Sequence, residues 1–232
     1  MMRRFSVTIC IPEAVYRAGV KVLLLGRRMR YGYAFRKIPL TRGMFAKVDQ
    51  ADYERLAMYK WYATSARNRG EKIYAERSEG GRKTKRNILM HREIMLQVNP
   101  KFEYLNPKPV LRPKDGTTEG RQIQITKTPN SKRKSELYVD HINGDGLDNR
   151  RANLRAATPK QNVWNSRGYG RSKYKGIWLD KSSGKWCARI KVGDKVRNLG
   201  RYVDEETAAR AYDAAARGVH KEFARLNFPG VK

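Results

Sequence analysis

The 232-residue chain is poor in acidic residues, nearly devoid of cysteine and without a long apolar run. Its two cysteines, Cys10 and Cys187, are too few and too far apart to form a structural zinc site, and they read as free thiols of a reducing compartment. The longest apolar stretch near the N-terminus, Val20 to Leu25, is interrupted by Lys21 and followed by Arg27, Arg28 and Arg30. That is far short of the ~20 residues a membrane span needs. Membrane insertion and ordinary secretion are therefore excluded as expectations, and a cytoplasmic protein is expected. Acid is scarce, 22 Asp+Glu against 51 Lys+Arg, for a formal charge of +29. So large an excess calls for a polyanionic partner, and a small-molecule substrate would not require it. With 40% hydrophobic and 10% aromatic residues the chain is too apolar for a disordered basic tail and should fold into one to three small domains.

Residues 1–36 carry mixed signals and no motif. Met29, directly before Arg30-Tyr31-Gly32-Tyr33, is a candidate translation start, with the residues before it non-native. From Lys37 the pattern predicts strands over Lys37–Leu40 and Met44–Val48 around an Arg42-Gly43 turn. A helix follows, capped by Asp52, with Tyr53, Leu56 and Ala57 on one stripe. Two strands, Lys72–Arg77 and Arg86–Met90, precede a helical run from His91 to Leu96. Residues 99–135, with Pro100, Pro107, Pro109, Pro113 and Pro129, read as an irregular basic insert. No internal repeat is present.

The densest chemistry lies between 138 and 165. Tyr138-Val139-Asp140-His141-Ile142 reads as a strand ending in a carboxylate beside an imidazole, followed by a Gly/Asn/Asp loop and then Asn153-Leu154-Arg155. Thr158-Pro159-Lys160-Gln161 is a capping box that places Asn162 in the first turn of a helix. Imidazole titrates near neutrality, so His141 can take a proton from water. Asp140 alternates to the opposite face of the strand and is free to ligate a metal. Asn162 adds a second hard oxygen, which suits magnesium, or manganese, better than zinc.

This stretch resembles the HNH nucleases, specifically the phage and group I intron homing endonuclease branch, through Asp140-His141, Asn153-Leu154-Arg155 and Asn162 at that branch's spacing. The resemblance covers roughly residues 37–165, and the insert departs from the family's shorter connection. It implies a ββα-metal core, a catalytic pair of His141 as base and Asn153 in a structural role tying the loop, and Asp140 and Asn162 as metal ligands. No role is implied for Arg155. His91 resembles an upstream histidine the family often shows, without an assigned role.

Beyond a Ser/Arg/Gly linker, Tyr174–Trp178 reads as a strand, Lys185–Val192 as a second and Arg197–Tyr202 as a third with a candidate bulge at Gly200. In the second, Trp186, Ala188, Ile190 and Val192 share one face, and Cys187, Arg189 and Lys191 the other. Asp204 caps a helix that carries Ala208, Ala211, Tyr212, Ala215 and Val219 on one side. Tyr174-Lys175-Gly176-Ile177, Gly184-Lys185-Trp186, Leu199-Gly200-Arg201-Tyr202 and Leu226-Asn227-Phe228-Pro229 make residues 173–229 similar to the plant APETALA2/ethylene-response-factor DNA-binding domain. That resemblance implies a sheet lying in the DNA major groove, with Lys175, Trp178, Arg189 and Lys191 at contacting positions. Several of these differ in type from the plant residues, so binding carries over better than base preference.

The sequence thus predicts an α+β protein: an N-terminal extension (1–36), a nuclease region (37–165) with its insert (99–135), a linker (166–172), and a three-stranded antiparallel sheet packed on one helix (173–229). The expected function is metal-dependent, site-specific endonuclease cleavage of double-stranded DNA by a monomer that nicks one strand. The alternative is a non-catalytic, sequence-specific DNA-binding regulator.

Overall fold

A computed structural model describes residues 11–65, 72–81, 84–98, 137–168 and 171–230. The 99–135 insert and Cys10 lie outside the described residues.

Helix α1 (Glu13–Tyr31) is an element that periodicity did not announce. It buries none of its residues and ends where Gly32 adopts φ 76°, a left-handed C-cap whose N–H donates to Arg28 O at 2.9 Å. Good helix formers and a Glu13–Arg17 pair one turn apart, at 2.7 Å, sustain it.

Strands β1 (Arg36–Pro39) and β2 (Phe45–Val48) pair antiparallel around a one-turn 3-10 helix (Thr41–Gly43). Helix α2 (Gln50–Ala57) is N-capped by Asp49 and not by Asp52. Asp52 instead sits in the first turn, fully buried, where its carboxylate takes Arg151 Nε at 2.8 Å and Arg55 Nη2 at 3.2 Å. The expected Asp52 cap is thus corrected: Asp52 is taken up by Arg151, and Asp49 holds the N-cap position without a side-chain cap bond, its Oδ2 accepting from Arg151 N at 2.7 Å. β3 (Tyr62–Ser65), also unanticipated, pairs with β4 (Ile73–Glu79), and β4 pairs with β5 (Arg86–Leu89), which runs straight into α3 (Met90–Val98).

β6 (Tyr138–His141) and β7 (Leu154–Ala157) form a second antiparallel pair, with Asp140 opposite Arg155 and His141 opposite Leu154. The loop between them is fastened to β2 by Lys47 N–H donating to Leu147 O and Asn149 N–H donating to Lys47 O, each at 2.8 Å. Gly146 allows this loop its close approach to β4, since a Cβ there would lie 2.7 Å from the Tyr74 ring. One apolar cluster, including Ile38, Val48, Leu56, Trp61, Met90 and Ile94, takes in Val139 and Leu154 of the hairpin and fixes its base.

Helix α4 (Pro159–Trp164) starts at the capping box read from the sequence: Gln161 N–H donates to Thr158 Oγ1 at 3.3 Å and Thr158 N–H to Gln161 Oε1 at 2.8 Å.

β8 (Ile177–Asp180), β9 (Lys185–Val192) and β10 (Lys195–Tyr202) form a three-stranded antiparallel sheet in the order β8-β9-β10. β8 starts later than the sequence suggested, because Gly176 takes φ 79° and breaks the extended run. The register shifts between Asn198 and Gly200, the bulge expected at that glycine. α5 (Glu205–His220) is capped by Asp204, whose Oδ1 accepts from Thr207 N at 2.7 Å. It packs Ala208, Tyr212 and Ala216 against Ile177, Ala188 and Ile190 in a second apolar cluster. Its buried stripe includes Ala209, Asp213 and His220, so the packed face is wider than the five-residue stripe in the sequence pattern. No described helix is long and apolar enough to cross a membrane.

Candidate active site

A cleft of about 200 Å³ opens where β6, the first turn of α4, β4 and the start of α3 converge. Asp140, His141, Gly144 and Asn162 line it together with Lys72, Tyr74, His91 and Arg92. Asp140, His141 and Asn162 therefore meet at one place, although 21 to 22 positions of chain separate the strand residues from the helix residue.

The His141 ring is 5% exposed and held from three sides. Its Nε2 lies 3.3 Å from Asn149 Oδ1, its ring stands edge-on to His91 at a centroid distance of 4.9 Å, and Tyr74 lies 5.9 Å away. Burial pushes the imidazole pKa below its usual 6.5, a shift that the Asn149 contact and the neighbouring acids only partly offset. His141 is thus neutral at pH 7. With Asn149 Oδ1 as acceptor, Nε2 carries the proton and Nδ1 holds the lone pair. His91 is driven further down by complete burial and by His141 itself, and its Nδ1 is buried without a hydrogen-bond partner.

Asn153 braces the loop that carries Asn149. Its Oδ1 accepts from Asn143 N at 3.0 Å, and its Nδ2 donates to Asn143 Oδ1 at 3.0 Å and Asp148 O at 2.7 Å. Asp148 is clamped by Arg150 through two bonds of 2.7 Å, and the guanidinium stacks 3.4 Å over the Tyr33 ring. Burial alone would raise the Asp148 pKa, but Arg150 overrides it and holds the carboxyl below its usual range.

Asp140, 4% exposed, points away from His141's partners toward α4 and β7. Its Oδ2 accepts from Arg155 Nε at 3.0 Å and Nη2 at 2.8 Å, and Asn165 Nδ2 reaches both carboxylate oxygens at 2.9 and 3.0 Å. The same Asn165 amide also donates to His141 O at 2.8 Å, pinning the end of α4 to the end of β6. Among the described residues no group of three or more His, Cys, Asp or Glu could hold a metal ion. What the cleft does offer is one carboxylate and one amide oxygen, Asp140 and Asn162, a hard donor set that fits a hard divalent cation and leaves its other positions to water and phosphate.

Two side chains at the site were not singled out in the sequence, Asn149, which contacts His141, and Asn165, which holds Asp140, and Arg155, read there as part of the motif without a role, is found on Asp140. For Asn165 a signal existed, since it follows Asn162 by one helical turn.

The positions expected to meet DNA divide. Trp178, Arg189 and Lys191 lie on the sheet face turned away from α5, with the Arg189 guanidinium 4.7 Å over the Trp178 ring. Lys175 is elsewhere: its ammonium caps the end of α4, donating to Trp164 O, to Ser166 O at 2.8 Å and to Val163 O at 3.3 Å. Burial and the nearby Arg225 and Lys72 lower its pKa to about 8.

The family model for HNH endonucleases matches residues 132–163, the segment holding β6, β7 and most of α4. The chain is 32% identical to protein 3.8 of Escherichia phage T7 over 108 residues, which is 46% of this chain and 88% of that protein. It is 35% identical over 95 residues to an uncharacterised HNH endonuclease of Acanthamoeba polyphaga mimivirus, 40% of this chain and 48% of that one. A third likeness, 44% over 60 residues, is to an AP2/ERF and B3 domain-containing protein of Oryza sativa subsp. japonica, 26% of this chain and 16% of the rice protein. The chain thus spans less than two thirds of the mimivirus and rice relatives. No solved structure matches. The matched motif segment shows that this chain carries an HNH endonuclease domain and has viral relatives, one of them named as an HNH endonuclease.

Proposed function

We propose that the protein is a metal-dependent, site-specific endonuclease of the homing type that nicks one strand of double-stranded DNA. In this reading the β6–β7 hairpin and α4 form a ββα-metal core within residues 37–165, and residues 173–229 form an APETALA2-like DNA-binding domain. The observation that carries the proposal is a buried, neutral His141 opening on the same cleft as Asp140 and Asn162.

His141 Nδ1 accepts the proton of the attacking water, while Asn149 holds the Nε2–H and so fixes the ring's orientation as charge develops. Asp140 and Asn162 would hold a divalent cation, magnesium or in its place manganese, which when bound would supply positive charge to the phosphate and the departing oxygen. Asn153 keeps the loop closed so that Asn149 stays aimed at the imidazole. Lys72 and Arg92, which also line the cleft, attract the phosphodiester into it. A single such centre cuts one strand per visit, so a monomer nicks.

The outer sheet face supports the binding half of the reading. Arg189, lying over the Trp178 indole, and Lys191 are exposed cations, and the +29 charge favours a polyanion. Lys175, spent on α4, acts in this scheme by holding the nuclease helix and not by touching a phosphate.

The test is a supercoiled plasmid carrying the flanks of the gene's own locus, incubated with magnesium or with EDTA. Conversion to open circles in magnesium alone is expected. Equal conversion in EDTA, or binding with no cleavage in either, would refute the proposal, and the second outcome would favour the regulator.

A further inference from the structure

The sheet-and-helix module is not merely tethered to the nuclease hairpin; it touches the residue that orients Asp140. Arg155 spends Nε and Nη2 on Asp140 Oδ2, and with its remaining arm, Nη1, donates to Glu222 O at 2.5 Å. The same guanidinium lies 3.9 Å over the ring of Phe223, itself only 7% exposed. Glu222 and Phe223 belong to the one-turn 3-10 helix Lys221–Phe223 that follows α5 directly.

Three further features hold this seam. Trp164, the last residue of α4, stacks on His220, the last of α5, at 4.6 Å and 13°. Arg225 Nη1 donates to Asn143 O at 2.9 Å, reaching the loop after β6. The chain enters the seam through Lys221, a non-glycine residue held at φ 48°, where an L side chain is strained. Strain of this kind persists only where surrounding contacts enforce it, and here the reversed chain presents the Glu222 carbonyl and the Phe223 ring to Arg155.

We propose that Arg155 is a positioning residue through which the C-terminal module sets the metal ligand Asp140: docking of Glu222 and Phe223 fixes the guanidinium plane, and that plane fixes the carboxylate. This rests on the reading of Asp140 as a metal ligand. The geometry assigns the two carboxylate oxygens different work. Oδ2 is held by the guanidinium, whereas Oδ1 is met among the described residues by Asn165 alone and keeps a lone pair for the cation. Coupling of this sort runs through a continuous set of contacts, from the end of α5 through one side chain to the ligand.

Charge gives the test its sign. Removing a cation beside Asp140 would by itself tighten metal binding, so a variant that keeps the charge but loses the planar fork isolates positioning. Mn2+ affinity of the full chain, read from the free-ion EPR signal, is expected to fall about tenfold in Arg155→Lys and to fall also in Phe223→Leu, which is uncharged, remains apolar and lacks only the ring face. Affinity of both variants for a mixed-sequence duplex in EDTA is expected to match the parent, which shows that they are folded and grip DNA. Parental Mn2+ affinity in both variants, or tighter binding, would overturn the inference. Asp140→Asn separates this from the underlying reading: loss of Mn2+ binding there is expected, and parental binding would remove Asp140 as a ligand and the coupling with it.

Discussion

The cleft and the outer sheet face use opposite means. At the cleft and in the loop behind it, Asp140, His141, Asn149 and Asn153 are each 6% exposed or less, with Asp140 held by Asn165, His141 in contact with Asn149, and Asn153 bonded to Asp148. On the sheet, Arg189 and Lys191 project from β9 into solvent, and Arg189's recorded partner is the Trp178 ring. Under the proposed function the difference has a reason: proton transfer tolerates little misplacement and calls for buried, braced groups, whereas phosphate attraction acts at longer range and leaves side chains free to adapt. The two regions should therefore fail differently when altered.

The largest expected effect is that of His141→Ala. Nicking should fall by roughly 10²- to 10⁴-fold, the usual worth of a general base, with duplex affinity unchanged in a gel-shift titration. Next comes the pair Arg189→Ala with Lys191→Ala. Affinity should drop, and the slope of log affinity against log salt should shrink by about one per lost phosphate contact, while the single-turnover rate at saturating protein stays parental. Asn149→Ala should slow nicking about tenfold, the equivalent of one orienting hydrogen bond, and leave the salt slope untouched.

The pH response sharpens the contrast further. Burial lowers the values of His91 and His141 below 6.5, so between their folded values and 6.5 the unfolded chain binds more protons than the folded one. Stability from these neutral imidazoles is present above 6.5 and is lost as pH falls through the folded values. The melting temperature should drop on that acid side, and the acid limb of the nicking profile should lie below the pH at which a free imidazole titrates. The smallest effect belongs to the seam: Lys221→Gly should relieve the positive φ and raise stability by about 1 kcal/mol or less in urea titrations.

What the sequence disclosed follows the same division. Elements governed by period and local caps were legible: the Thr158 capping box, the Asp204 cap and the bulge at Gly200 occur where pattern places them, and β9 alternates from Ala188 to Lys191, although Cys187 on its outer face is buried and Val192 on its inner face is exposed. Helix α1 escaped because it has no buried stripe, and Asp52 was misread as a cap because its partner Arg151 lies 99 residues away. In the cleft, the motif placed Asp140, His141 and Asn162 together. The supporting contacts were harder to read for a physical reason: Asn149 and Arg155 act through side-chain bonds that carry no periodicity, and an Asn in a polar loop looks like any turn residue, whereas Asn165 had only its one-turn spacing from Asn162 as a signal. Lys175 shows the converse, a position that pattern assigns to DNA and that tertiary structure directs to the end of a helix.

The most direct test of the account is to measure cutting and gripping side by side on one DNA, as single-turnover nicking and duplex affinity, for His141→Ala and for the Arg189→Ala, Lys191→Ala pair. The account predicts that the first loses cutting and keeps binding, and that the second loses binding yet cuts at the parental rate once saturated. Parental nicking by His141→Ala, or equal loss of both properties in both variants, would contradict it.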